Sequence, residues 1–518
     1  MNRTKTITLE LLVAGDGLSG RAVDGDGDAR EFSGRLGLMH TIDELLAGAG
    51  TTEEEHMNPT ETPIRMPDAA ALRRLIGGTV IGPGEGGWDA ERGAFNLNVD
   101  QQPAMIAIPG SPEEVSAVVR YAGENGLRVA PQRTGHNAEP MGPLADSILL
   151  KTSRLDRVQI DPRARRARVG AGARWEDVVP QASDHGLAAL HGSTPDVSVA
   201  GYCLGGGMGW YARKHGLAAN SVTAIELVTA DGEIRCVSAM AEPELFWALR
   251  GGGGNFGVVT ALEFDLFPVA ELYAGVLFFP FERAEEVLGA WHAWTAEAPD
   301  EVTSVGRLLQ FPPFEEIPEP VRGKSFAIVE AAFLGTQAEG EELLAPLRAL
   351  GPAMDTFAMV PPVGIAELHM DPRDPMPYAS DHALLGELPA TAIAELVAAA
   401  GPGSGSTLAS VELRHTGAAL ARTGPGHGAV ATLPGSFAMF AVGLAADEAS
   451  TAKTTADLAR VAAATQPYLA GHYLNFTEHH TDGESFFDAA TAARLRAVRD
   501  TYDPERTLQA NHEIGAGR

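Results

Sequence analysis

Apolar and polar positions alternate from the start of the chain: polar neighbours separate Ile7, Leu9 and Leu11, the period of a half-buried strand. The pattern runs into Asp24-Gly25-Asp26-Gly27-Asp28, a turn signal. Its spacing superficially suggests a calcium loop. However, Ala29 stands where such a loop needs its turn glycine and Arg35 where it needs a bidentate glutamate, so no calcium site is expected. Thr41 and Glu44 are spaced as a capping box for a short helix, and residues 51–67, acidic and proline-containing, read as a linker. Residues 1–64 are therefore expected to form a separable appendage.

An apolar run at 104–108 predicts a strand leading into Ser111-Pro112-Glu113-Glu114, a capping box with proline in the first helical turn. Val115, Val118, Val119 and Ala122 then share one helical face, Gly126 ends the helix, and 127–129 resumes a strand. Segments 222–229 and 234–237 flank Asp231-Gly232, a hairpin signal. After Pro268 the rhythm changes. Strands at 276–279, 302–309, 326–333, 410–415 and 437–443 are interrupted by helices at 282–296, after 333 and at 452–464, which predicts an antiparallel sheet covered by helices on one face. Residues 401–406, Gly-Pro-Gly-Ser-Gly-Ser, read as a surface loop. The fold class expected is α+β.

A length of 518 residues leaves room for about two to four domains. The formal net charge of −29 repels phosphate backbones and anionic headgroups, so neither nucleic acid nor a membrane surface is an expected partner. No apolar run approaches the ~18 residues of a membrane span. Cys203 and Cys236 are too few for a disulfide framework and lack zinc-site spacing, which fits a soluble protein of the reducing cytoplasm.

The 59 glycines exceed the usual ~7% and concentrate at 201–209 and 251–257. Such runs let backbone N–H groups approach a pyrophosphate; tight turns are the plainer alternative. Gly252, Gly254 and Gly257 match G-x-G-x-x-G, yet helical spacing at 243–250 precedes them and strand-like residues 258–267 follow, the reverse of a Rossmann unit. Gly207-Met208-Gly209 with Ala212 and Glu226 is better spaced and keeps a nicotinamide-linked dehydrogenase open. Glu478-His479-His480 with Asp482 lacks helical His-x-x-x-His spacing, so no metal is expected.

Five segments in order carry a resemblance: Arg133-Thr134-Gly135-His136; 195–210 with its Pro-Asp-Val start; Arg213-Lys214-His215-Gly216-Leu217; Leu249 to Gly257; and Tyr473-Leu474-Asn475-Phe476 with Tyr502-Asp503-Pro504 and Asn511. From about Arg65 onward the chain resembles the FAD-linked oxidases of the p-cresol methylhydroxylase and vanillyl-alcohol oxidase superfamily, in its berberine-bridge-enzyme-like branch. The resemblance implies a split, two-lobed FAD-binding domain of the p-cresol methylhydroxylase type at 65–269, an antiparallel-sheet substrate domain at 270–465, and a C-terminal segment at 466–518 that returns to the FAD domain.

It further implies FAD attached through His136. The second link made by a cysteine in many relatives is missing because Thr194 holds that place, so the link is expected to be single. Residues implied near the cofactor are Arg133, Thr134, Gly135, His136, Asn137, Thr194, Val197, Gly201, Gly205, Gly206, Gly207, Gly209, Gly257, Val258, Asn475 and Asn511. Val197, three beyond the cysteine position, matches the family's oxygen-access residue. Tyr473 matches the tyrosine of the family's Tyr-x-Asn motif and is the expected base, with Asn475 on the same strand face. The strand carboxylate of alkaloid-type relatives is replaced by apolar Phe437-Ala438-Met439-Phe440. On the neighbouring strand Glu412 and Arg414 share a face that lines either the pocket or solvent. The implied reaction takes a hydride from an alcohol or activated C–H carbon of a sugar or secondary metabolite and passes electrons to dioxygen. The alternatives are the nicotinamide-linked dehydrogenase and a flavin-retaining binding protein without turnover.

Overall fold

The N-terminal alternation becomes a three-stranded antiparallel sheet, Ile7–Ala14, Gly17–Asp24 and Ala29–Ser33, each strand paired with the next. The computed structural model describes these strands and residues 68–515 apart from 316. Residues 25–28 of the Asp-Gly turn, the Thr41–Glu44 capping box and the 51–67 linker lie outside the described residues. The chain divides into two units, Met1–Arg65 and Met66–Arg518.

The second unit contains three main sheets. The first orders Thr79–Ile81, Met105–Ile108, Ser147–Lys151 and Arg128–Gln132, the last three parallel. The crossover between its parallel strands includes helix Pro112–Glu124, which starts where Ser111 caps the Glu114 amide. The reciprocal half of the expected capping box is not made: the Glu114 carboxylate accepts the amides of Gly110 (2.7 Å) and Gly77 (2.9 Å) instead. The second sheet is antiparallel, ordered Ile234–Ser238, Val222–Val228, Val258–Asp265, Arg166–Gly170, Val158–Asp161. The hairpin turn sits at Gly232, whose φ of +76° suits glycine.

The largest sheet runs Met354–Asp355, Leu272–Pro280, Ser325–Phe333, Val302–Gln310, Ser410–His415, Phe437–Leu444, Tyr378–Leu385, Leu469–Gly471. Its strand Tyr378–Leu385 and the helix Ala390–Ala400 are additional to the elements expected from the sequence. One face buries Leu308, Val329, Val411, Leu413 and Met439 under helices Ala284–Thr295, Ala390–Ala400 and Glu448–Thr465. The alternation places Arg307, Glu330, Glu412 and Arg414 on the opposite face. The C-terminal segment closes on the first sheet: the Val129 amide donates to the Thr507 carbonyl (2.7 Å) and the Gln509 amide to that of Val129 (2.8 Å). Among the described residues no helix is long and apolar enough to cross a membrane.

Candidate active site

The polar face of the large sheet borders a cavity of about 1170 Å³ whose other walls are residues 131–137, 192–205, 253–257 and 509–511. The 131–137 wall is the turn that leaves strand Arg128–Gln132. There the φ of Gly135 is +77°, and a Cβ would fall 2.9 Å from the Ala94 backbone. That turn projects His136, whose ring stacks on Phe95 at 3.9 Å and whose Nδ1 lies 2.8 Å from the Thr134 hydroxyl. Burial pushes its pKa down to about 4, which leaves a neutral imidazole, the nucleophilic form.

Of the residues singled out from the sequence, Arg133, Thr134, Gly135, His136, Asn137, Thr194, Val197, Gly201, Gly205, Gly257, Asn475 and Asn511 line this cavity, together with Tyr473, Glu412 and Arg414. Gly206, Gly207, Gly209 and Val258 do not. Gly206 and Gly207 pack against the rings of Tyr473 and Tyr202, a Cβ on Gly209 would meet the His191 carbonyl oxygen at 1.7 Å, and Val258 is fully buried in the core. The second half of the 201–209 glycine run therefore serves close packing, and open backbone faces the cavity at Gly201 and Gly253.

The expected strand around Tyr473 and Asn475 is instead a bend into the 3-10 turn Leu474–Phe476. The turn brings the Asn475 amide nitrogen to 3.0 Å from the Tyr473 hydroxyl oxygen, which also accepts the Gly207 N–H at 2.7 Å. Both donors favour the phenolate, but burial outweighs them and pushes the phenol up.

Glu412 and Arg414 line the cavity rather than solvent. The Glu412 carboxylate holds the Arg414 Nε at 2.6 Å with one oxygen and lies 2.6 Å from His369 Nε2 with the other. Burial opposes its charge, but Arg414, His369 and Arg307 keep it well below the usual carboxylate range. The other His369 nitrogen is 2.5 Å from Glu330. Arg307 donates to the Ser410 hydroxyl and the His369 carbonyl, both at 2.6 Å. Asp371 accepts the Thr194 hydroxyl at 2.5 Å. Sequence reasoning missed Arg307, Glu330, His369 and Asp371. A lone charge inside each of the apolar runs 305–309 and 326–333 was the available signal for the first two.

Glu478 also reaches the cavity wall, where the Tyr378 and Ser380 hydroxyls donate to it (3.0 and 2.5 Å) and burial pushes it up to about 7. Among the described residues no group of three or more His, Cys, Asp or Glu is arranged to hold a metal ion. Cys203 is buried beside the glycine turn, its thiol pushed up to about 12 by burial.

The cavity suits an FAD. The Gln132 amide, His136 Nε2, Asn137 Oδ1 and the Tyr202 hydroxyl are buried without hydrogen-bond partners, and all four residues line it. A nicotinamide Rossmann unit has no counterpart in this region. Gly207-Met208-Gly209 follows helix Val199–Leu204, and Gly252 to Gly257 lies between helix Pro243–Leu249 and strand Val258–Asp265.

Residues 103–238 match the family model described as an FAD binding domain. By sequence the chain is 39% identical over 192 residues to (R)-6-hydroxynicotine oxidase of Paenarthrobacter nicotinovorans, covering 37% of this chain and 42% of the relative. It is 38% identical over 189 residues to glucooligosaccharide oxidase of Sarocladium strictum, covering 36% and 38%. Each match thus spans about two-fifths of the relative's own length. Among solved structures, 6-hydroxy-D-nicotine oxidase from Arthrobacter nicotinovorans is 27% identical with a TM-score of 0.74, covering 88% of this chain and all of that one. The fold is shared with Physcomitrella patens BBE-like 1, at 19% identity, a TM-score of 0.76, and 87% and 99% coverage. A structure of glucooligosaccharide oxidase from Acremonium strictum, described with a 6-S-cysteinyl, 8α-N1-histidyl FAD, is 22% identical with a TM-score of 0.73, covering 86% and 98%. With an FAD-binding region over residues 103–238, its glycine turns and the cavity between them and the large sheet, the chain is similar to FAD-linked oxidases such as (R)-6-hydroxynicotine oxidase and glucooligosaccharide oxidase.

Proposed function

We propose that this chain is an FAD-dependent oxidase that takes a hydride and a proton from an alcohol or activated C–H carbon of a small molecule and delivers two electrons and two protons to dioxygen as hydrogen peroxide. The observation that carries this reading is the single cavity that holds His136, the glycine turns and Tyr473 together with the polar face of the large sheet. Bound there, FAD supplies the hydride acceptor and the reaction with oxygen.

The residues that hold it in this reading are Arg133 to Asn137, the 194–205 wall and Asn511, with one covalent link through His136. The neutral imidazole supports that link, and Thr194, tied to Asp371, leaves no second nucleophile at the cysteine position. Tyr473 is the group we assign to the substrate hydroxyl proton. It acts as the phenolate, the form that the Gly207 N–H and the Asn475 amide favour against burial, and becomes the phenol on taking that proton. Glu412 is the weaker choice, since Arg414, His369 and Arg307 hold it well below the usual carboxylate range and so make it a weak base. The two free cysteines and the acidic surface support a cytoplasmic protein without nucleic-acid or membrane partners.

Purified protein incubated with a panel of alcohols and sugars should consume oxygen with equimolar peroxide. Flavin reduction that transfers electrons only to dyes would make it a dehydrogenase, and no reduction by any member a binding protein.

A further inference from the structure

Strand Tyr378–Leu385 pairs with the last strand of the large sheet, Leu469–Gly471, and that pairing stops at Leu384 opposite Gly471. Two residues further in the same register, Tyr473 would stand opposite His382. Side chains replace the backbone ladder there. The His382 N–H donates to the Asp381 carboxylate at 2.8 Å, and the Tyr473 N–H donates to His382 Nε2 at 3.0 Å. The same nitrogen lies 3.2 Å from the Thr477 hydroxyl. A backbone N–H can only donate, so Nε2 is the lone-pair nitrogen of this ring and the proton sits on Nδ1. The imidazole is neutral: burial pushes its pKa down to about 3, with His472, His479 and His512 adding to the effect.

Packing alone does not select a histidine at this place. His382 is 3% exposed and packs edge-on against the rings of His472 and Phe476, yet its Nδ1 is buried without a hydrogen-bond partner. A leucine would fill similar space and leave no polar atom unpaired. What the histidine adds is the acceptor for the Tyr473 N–H. The phenol end of Tyr473 is fixed by Gly207 and Asn475, and the far end of the turn by His512, whose Nε2 donates to the Thr477 carbonyl at 2.9 Å. Tyr473 is thus held at its hydroxyl and at its backbone, and the backbone hold is one side-chain atom. His382 itself is not part of the cavity wall.

We infer that His382 is a positioning residue for Tyr473: its Nε2 fixes the backbone from which the phenol reaches the cavity wall, and it acts on the reaction only through that tyrosine. The inference rests on reading Tyr473 as the base. Misplacing a reacting group by about 1 Å can cost roughly a hundred-fold in rate, so loss of this bond should be felt in the reduction step and not in substrate binding.

The test pairs His382→Leu, which fills the space without an acceptor, with His382→Gln, whose amide oxygen restores one. In FAD-loaded protein labelled with 3-fluorotyrosine, fluorine NMR reports the position directly, the Tyr473 resonance being the one absent from Tyr473→Phe. That resonance should move in His382→Leu and return toward its wild-type place in His382→Gln. An unmoved resonance in folded His382→Leu, or equal displacement in both variants, overturns the inference. With the member of the alcohol and sugar panel that reduces wild-type flavin fastest, anaerobic reduction at saturation should slow about ten-fold or more in His382→Leu and recover to within about three-fold in His382→Gln, with substrate affinity within about two-fold throughout. Unchanged reduction in His382→Leu while Tyr473→Phe is slow, or a loss confined to affinity, also overturns it. Should His382→Leu not fold, nitrogen NMR of histidine-labelled wild type, assigned against His382→Gln, decides: the ring should carry its proton on Nδ1, and a proton on Nε2 overturns the inference. The fluorine and tautomer measurements do not depend on what Tyr473 does. A failure of the base assignment therefore appears as a normal reduction rate in Tyr473→Phe, and a failure of this inference in the resonances.

Discussion

The hydroxyl oxygen of Tyr473 accepts the Gly207 N–H at 2.7 Å, which fixes the phenol against the glycine turn in the cavity wall. Tyr473→Phe keeps the ring and deletes the proton partner. Anaerobic stopped-flow measurement should show flavin reduction slower by about a hundred-fold to ten-thousand-fold with FAD content unchanged. A rate within a few-fold of wild type would move the base elsewhere, with Glu412 the next residue to examine.

His136 in a single covalent link makes a chemical prediction. Acid-denatured protein should stay yellow, and a flavin-bearing peptide should contain His136. His136→Ala should release all flavin on denaturation. Complete release from the wild type means that FAD is held without a bond.

Val197 lines the cavity three residues beyond Thr194. In the proposed role as the oxygen-access residue it acts on one half-reaction only. Val197→Leu should slow reoxidation by oxygen and leave anaerobic reduction within about two-fold, since a bulkier side chain blocks a path without touching the hydride donor. Equal slowing of both steps would reject that role.

The His369 cluster predicts a pH dependence of stability. The folded pKa of about 9 lies above the ordinary 6.5, so the native state holds the proton more tightly than the unfolded chain. Its contribution is complete below pH ~6.5 and is lost as pH rises to about 9, on the order of a few kcal/mol. Denaturant titrations across that window should show the loss in wild type and a flatter profile in His369→Gln. Matching profiles would show that His369 is not the group responsible.

Much of this site was legible locally. The Arg133-to-His136 turn and the Glu412/Arg414 alternation are short-range patterns, and each occupies the cavity wall. His369, Arg307 and Glu330 were not, because they come from separate segments: pairing of the large sheet sets Arg307 opposite Glu412 and Val305 opposite Glu330, and His369 reaches them from the turn after Pro362–Ile365. The glycine run misled in part for a related reason. Gly205 to Gly209 are small because Asn475, Tyr473, Tyr202 and His191 pack on them, partners that no local spacing reveals. Strand Tyr378–Leu385 escaped notice because Asp381 and His382 interrupt its alternation.

The central claim is that the FAD held in this cavity reacts with oxygen as an oxidase flavin. Holoprotein reduced by light without substrate, then mixed with oxygenated buffer in a stopped-flow instrument, measures this directly. The account predicts reoxidation many-fold faster than free reduced FAD under the same conditions, with one hydrogen peroxide formed per flavin. Reoxidation no faster than free FAD would contradict it.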